Sequence, residues 1–176
     1  KTAYEIKECD WSSDGVLFRS LYDEGRALFT IGFNAEHARR DASFYDLLAS
    51  EARLVSFLAV ARGEVPQKHW FSLGRSLTST AGGKALISWS GTMFEYLMPF
   101  IVMHDFPTTI LGRTARAVVG AQMSYGSRQG VPWGISESAY SGVDFEKTYQ
   151  YRAFGVPGLG LKRGLSEDLV VSPYST

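Results

Sequence analysis

Two carboxylates, Glu51 and Glu137, stand where acid–base or nucleophilic chemistry is feasible. Glu137 lies in the stretch V-P-W-G-I-S-E-S-A-Y (Val131 to Tyr140), between two serines, with Trp133 four residues before it and Tyr140 three after. The run has neither a helical nor a strand period and carries Pro132 and Gly134, so it reads as an ordered loop. The rings offer flat apolar faces to a sugar, and the acid between them either reacts or takes a hydroxyl. The same residues also fit a surface loop whose rings pack on the core.

Glu51 falls in a stretch that reads as the strongest helix of the chain, from about Ser43 to Arg62. Asp41 or Ser43 caps it, Asp46 completes a capping-box pattern, and Gly63 stops it with Pro66 beyond. On that helix Glu51 shares a face with Leu47, Leu48, Leu54 and Val55. A carboxylate in such a ring is costly unless paired, hydrogen-bonded or protonated. Burial of this kind raises a carboxyl pKa, which suits a general acid. An ion pair with a buried arginine explains the placement equally well. Glu95 is different: Thr92 and Glu95 form a T-x-x-E capping box, so its structural role is favoured.

The elements that position these groups read as helices separated by long loops. Leu17 to Phe33 reads as a hairpin around a D-E-G-R turn at Asp23 to Arg26. Gly63 to Ser90 is a long connection with a Gly82-Gly83 turn and a short β-like piece, Ala85 to Trp89. A helix runs from Thr92 towards Asp105, kinked at Pro99. Another follows Pro107, capped by Thr108 or Thr109, with a stripe through Ile110, Leu111, Thr114, Ala115, Val118, Ala121, Gln122 and Tyr125, ending by Gly130. Ser172-Pro173 reads as a helix start, which suggests a piece of a longer polypeptide. Glu51, Glu95 and Glu137 recur at intervals of about 43 residues, a spacing that also fits helix-pair repeats, though no side-chain pattern repeats with them.

Composition narrows the function classes. The 176 residues suffice for one domain with a real core, and 45% are apolar. Lys and Arg number 18 and so do Asp and Glu, with no basic run, so neither nucleic acid nor an anionic membrane surface is expected as a partner. Cys9 is the single cysteine, which excludes an intrachain disulfide and fits a reducing compartment. His37, His69 and His104 lack ligand spacing, so no metal is expected. The glycines at 155, 158, 160 and 164 do not form a dinucleotide fingerprint, and no cofactor is expected. No apolar run reaches the ~20 residues of a membrane span, and the chain reads as soluble.

Five blocks carry a resemblance: F-Y-D-L-L-A-S-E-A-R-L (44–54), H-W-F-S-L-G-R (69–75), S-W-S-G-T-M-F-E-Y-L-M-P (88–99), V-P-W-G-I-S-E-S-A-Y (131–140) and Y-R-A-F-G-V-P-G-L-G-L-K-R-G-L (151–165). In that order they resemble the glucoamylase-like domain of bacterial cyclic β-1,2-glucan synthases, from about Leu21 to Thr176. The resemblance implies a mainly α fold, part of an (α/α)6 toroid with helical hairpins, long loops and a short β-hairpin. Residues 1–176 would then be a single fragment of that domain. With roughly three or four of the twelve helices the toroid would be incomplete, about half a barrel, so the fragment is expected to be inactive alone and to dimerise or swap segments.

The implied activity is retaining transglycosylation that cyclises linear β-1,2-glucan, with Glu137 as nucleophile and Glu51 as acid/base. Trp133, Tyr140, Trp70, Arg53, Tyr151 and Arg152 are the expected substrate-binding residues. The expected partners are β-1,2-glucan and the rest of the parent polypeptide, which in this family lies in the inner membrane with this region cytoplasmic. Hydrolysis by the same residues, as in an endo-β-1,2-glucanase, and a non-catalytic glucan-holding segment are the competing readings.

Overall fold

The structure, a computed structural model, describes residues 20–34 and 36–176. It divides into two compact units, one from residues up to 46 and 55–73, the other from residues 47–54 and 74–176. The start of the expected Leu17 hairpin and Cys9 lie outside the described residues.

In the first unit, β1 (Tyr22–Asp23) pairs antiparallel with β2 (Leu28–Thr30), and two-residue strands β3 (Phe33–Asn34) and β4 (Arg39–Arg40) form a second ladder. The Asp23 to Arg26 turn is closed by the Arg26 amide donating to Asp23 Oδ1 at 2.7 Å. The expected hairpin is therefore present over its described part. β5 (Phe44–Tyr45) adds to β2 on the other side, with Phe29 opposite Tyr45. Tyr22, Ala27, Phe29, Ala59 and Val65 form this unit's core, the last two from α1 (Arg53–Ala61) and the turn after it. His69, on α2 (Lys68–Ser72), is fully buried against the Tyr22 and Phe29 rings.

The second unit is built on α4 (Ile110–Gln129) and the hairpin of β6 (Leu77–Thr80) and β7 (Gly83–Leu86). The Thr109 side chain caps α4 by accepting from the Gly112 amide, and Gly130, at φ 69°, ends it in the left-handed conformation. Helix and hairpin approach closely. A Cβ on Gly82 would stand 2.2 Å from the Ala117 carbonyl oxygen, so only glycine fits there. Thr114 Oγ1 then accepts from the Leu86 amide at 3.1 Å.

α3 (Met93–Leu97) carries the expected capping box between Thr92 and Glu95. Glu95 is buried, and its carboxylate collects the Ser90 and Thr92 amides and the Ser88 hydroxyl. Burial pushes this carboxyl up, and those hydrogen bonds oppose the shift. At Pro99 the chain tightens into a 3-10 turn, Met98–Ile101, rather than continuing as a kinked α-helix. Segment 156–162 pairs along 88–91, and β8 (Ser138–Val143) pairs with β9 (Tyr149–Arg152). Ser172 and Pro173 do open a helical turn, a 3-10 turn over Pro173–Ser175.

The expectation of a mainly α toroid is overturned. Among the described residues the fold is mixed, with four small antiparallel sheets beside the helices. The largest misreading is at residues 43–62. Only Arg53–Ala61 is helical, because Phe44–Tyr45 is drawn into the β1–β2 sheet, Leu47 forms a bridge with Gly74, and 48–52 run through bends and a turn. The cross-strand pairs that hold β5 bridge residues about 15 apart in sequence, so nothing local to the stretch announces them. Gly63, at φ 73°, ends the helical run as expected. No helix of the described residues is long and apolar enough to cross a membrane.

Candidate active site

Glu137 sits where the irregular stretch after α4 becomes β8. Three contacts fix that stretch. Gln122, fully buried on α4, meets Ile135 as a strand would: its Nε2 donates to the Ile135 carbonyl and its Oε1 accepts the Ile135 amide, both at 2.8 Å. Gly134, at φ 105°, brings its backbone against Ser175, and its carbonyl accepts from the Ser172 amide and the Ser175 hydroxyl. Ser172 Oγ donates towards the Ser136 and Glu137 carbonyls, at 3.1 and 3.2 Å.

A chain of hydroxyls then reaches Glu137. The Phe94 amide donates to Ser136 Oγ at 3.0 Å, Ser136 Oγ lies 2.8 Å from Tyr174 Oη, and Tyr174 Oη donates to the Glu137 carbonyl at 3.0 Å. Since the Tyr174 proton is committed to that carbonyl, Ser136 is the donor in the middle link. Desolvation raises the Tyr174 phenol, the Ser136 hydrogen bond opposes this, and the Glu137 charge adds to the rise.

The carboxylate is held from the other side. Ala139 is opposite Tyr151 in the β8–β9 ladder, so Glu137, two residues earlier on the same face, is a diagonal neighbour within reach of a tyrosine. Tyr151 Oη donates to Glu137 Oε2 at 2.6 Å. The ring is open to solvent while the hydroxyl is turned onto the acid. Desolvation of that hydroxyl raises the phenol above its usual range. The hydrogen bond and charge of Glu137 and the charges of Tyr174 and Glu51 raise it further. One phenol thus senses both acids.

Glu51 is half-buried in the turn before α1 rather than on a helix face, with Ser50 Oγ donating to its Oε2 at 3.1 Å. Its charge also acts on Arg53 and Glu95. Arg53 corrects an expectation. It is 2% exposed, and its guanidinium donates to the carbonyls of Ser50 at 3.1 Å, Glu95 at 2.9 Å and Tyr96 at 2.5 Å, over the Phe100 ring. It ties the Glu51 turn to the C-terminal end of α3 and is not presented to a substrate. Burial lowers its pKa to about 10, against the pull of Glu51.

The remaining expected residues divide. Trp133 is half-buried and lines a mostly apolar groove of about 310 Å³ with Met93, Leu97, Ile101 and Tyr174. Tyr140 is half-buried and stands edge-on to Phe154 at 5.4 Å. Arg152, on the face of β9 opposite Tyr151, is paired with Asp168 at 2.7 Å. Trp70 belongs to the first unit, edge-on to Phe57 at 6.3 Å. Sequence reasoning missed Tyr174 and Gln122 as site residues. Gln122 leaves a trace, a side-chain amide on a mostly apolar stripe, and Tyr174 leaves none. No group of three metal-ligating side chains is gathered among the described residues.

Comparison with known proteins agrees with the sequence blocks. The chain is 49% identical over 159 residues to the cyclic beta-(1,2)-glucan synthase NdvB of Rhizobium meliloti (strain 1021). That alignment covers 90% of this chain and 6% of the relative, so the chain spans about 6% of the length of the curated protein it matches. Residues 43–176 match the family model Glycoamylase, described as "Putative glucoamylase". That match takes in most of the chain, including Glu51, Glu137 and Tyr151, and the chain belongs to this glucoamylase family.

Proposed function

We propose that this segment performs glycosyl transfer in glucan synthesis, on β-1,2-glucan, with Glu137 as nucleophile and Glu51 as general acid and base. The observation that carries the reading is the Tyr151 hydroxyl, bonded to Glu137 Oε2 at 2.6 Å in the unit that also holds Glu51; desolvation raises this phenol first, Glu137 next, and Glu51 adds the smallest part. Retaining chemistry uses two carboxyl groups about 5–5.5 Å apart flanking one glycosidic bond.

In the first step Glu137 attacks the anomeric carbon. The glycosidic C–O bond breaks with its electron pair passing to the oxygen, and Glu51 protonates that oxygen. A glycosyl ester on Glu137 remains. In the second step a glucan hydroxyl gives its proton to Glu51 and attacks the same carbon, releasing Glu137. A hydroxyl of the same chain closes a ring, and water in its place gives hydrolysis. Trp133, in the apolar groove it lines with Tyr174, offers a ring face for a sugar unit.

The test uses the full-length protein and linear β-1,2-glucan, with products read by mass. Ring-mass products from the wild type, lost in Glu137→Gln and in Glu51→Gln, support the reading. Shortened linear products alone replace transfer by hydrolysis. Ring formation that survives both substitutions refutes the assignment of the acids.

A further inference from the structure

We propose that Tyr151 is a positioning residue for the nucleophile: it fixes the rotamer of the Glu137 carboxylate and restores a hydrogen bond to it as the glycosyl ester breaks. The inference rests on the reading of Glu137 as nucleophile and assigns Tyr151 a role other than the sugar contact its sequence position suggests. The geometry divides the task of holding Glu137 between two tyrosines. Tyr174 and Ser172 grip the peptide group, through the Glu137 carbonyl. That fixes where the side chain starts but leaves its own torsions open. Tyr151 reaches the far end, at Oε2.

The β8–β9 ladder makes this contact a property of the fold, since the register that sets Ala139 opposite Tyr151 delivers the hydroxyl to the diagonal position. Desolvation and the surrounding negative charges keep the phenol protonated through the neutral range, so it remains a donor. With Oε2 occupied, Oε1 is the oxygen directed to the anomeric carbon. When the ester forms on Oε1, Oε2 becomes a carbonyl oxygen and accepts more weakly. As the ester C–O bond breaks in the second step, its electron pair returns to the carboxylate and the hydrogen bond strengthens. An interaction that gains strength as the ester breaks lowers the barrier of this second step rather than improving substrate binding.

The experiment compares Tyr151→Phe with wild type in the full-length protein, using initial rates over a range of linear β-1,2-glucan concentrations. Loss of one hydrogen bond to a charged group predicts a fall in kcat of about 10- to 100-fold with KM within about threefold. Glucan affinity is measured in parallel for Glu137→Gln and for Glu137→Gln combined with Tyr151→Phe. Equal affinities show that the fold and ground-state binding survive the loss of the hydroxyl. A rise in KM with kcat unchanged, or a loss of glucan affinity in the double variant, overturns the proposal in favour of a sugar contact or a structural role. Unchanged kinetics in Tyr151→Phe, with Glu137→Gln inactive, overturn it while leaving the nucleophile in place. Full turnover by Glu137→Gln strikes instead at the reading of Glu137 itself.

Discussion

Replacing Gln122 by methionine removes a clamp without changing the bulk of the side chain. In the native structure the Gln122 amide forms two 2.8 Å hydrogen bonds with the Ile135 peptide, and both residues are almost fully buried. Methionine forfeits both bonds, at a net of roughly 0.5–1.5 kcal/mol each. The Ile135 carbonyl keeps a weaker donor, the Met93 amide at 3.3 Å, but the Ile135 amide is left buried without an acceptor. An unsatisfied buried donor adds about 1–3 kcal/mol. The sum is roughly 2–6 kcal/mol of local opening free energy, or about 30- to 20,000-fold in an opening equilibrium. Hydrogen exchange followed by mass spectrometry on the full-length protein reads this directly, in the peptide spanning residues 131–137. Protection there should fall by that factor while β6 and β7 keep theirs. Activity should fall with it, because Ile135 lies two residues before Glu137. Unchanged protection would show that the stretch is held by its Ser172 and Ser175 contacts and that the amide pairing is incidental.

Other consequences are testable on the same protein. Gly155→Ala would place a Cβ 1.8 Å from the Ser90 carbonyl oxygen, a backbone atom that cannot rotate away. It should cost about 1–3 kcal/mol and loosen the pairing of 156–162 with 88–91, seen as faster exchange there. His69 is buried with Nδ1 2.9 Å from the Ala27 carbonyl and Nε2 without a partner among the described residues, so it is neutral with its proton on Nδ1. Burial lowers its pKa, outweighing that backbone bond, so below about pH 6.5 the unfolded chain binds a proton that the folded one refuses. Stability of the first unit should be complete above that pH and fall as pH drops, by up to about 1.4 kcal/mol per unit. His69→Gln should abolish the slope, read as protection of β1 and β2 corrected for intrinsic exchange.

Features with a local cause could be read from the sequence. Thr92 and Glu95 lie three apart and form their capping box within one turn, and Thr109 and Gly130 bound α4 by side-chain and backbone chemistry confined to its ends. Features settled by distant partners could not. Phe44 and Tyr45 carry apolar side chains that fit a helix as well as a strand, and only Phe29 and Thr30 decide for the strand. Ser138–Val143 holds Ser, Ala and Gly, poor strand formers, and is a strand because Tyr149–Arg152 pairs with it. The site follows the same division. Glu51 and Glu137 stand out by type and setting, whereas the burial of Arg53, two residues after Glu51, is not legible because two of its three carbonyl partners lie more than 40 residues away.

The grip of Ser172 and Tyr174 on Glu137 also bears on synthesis. These contacts join residues 35 to 38 apart, on segments that the ribosome delivers at different times. α4 and the Gln122 clamp can form once residue 135 has emerged, but the carbonyl of Glu137 has no tyrosine to hold it until 174 follows. At about 5–20 residues per second that interval lasts a few seconds. During it the nascent chain has its scaffold but lacks the side chains that hold the Glu137 carbonyl.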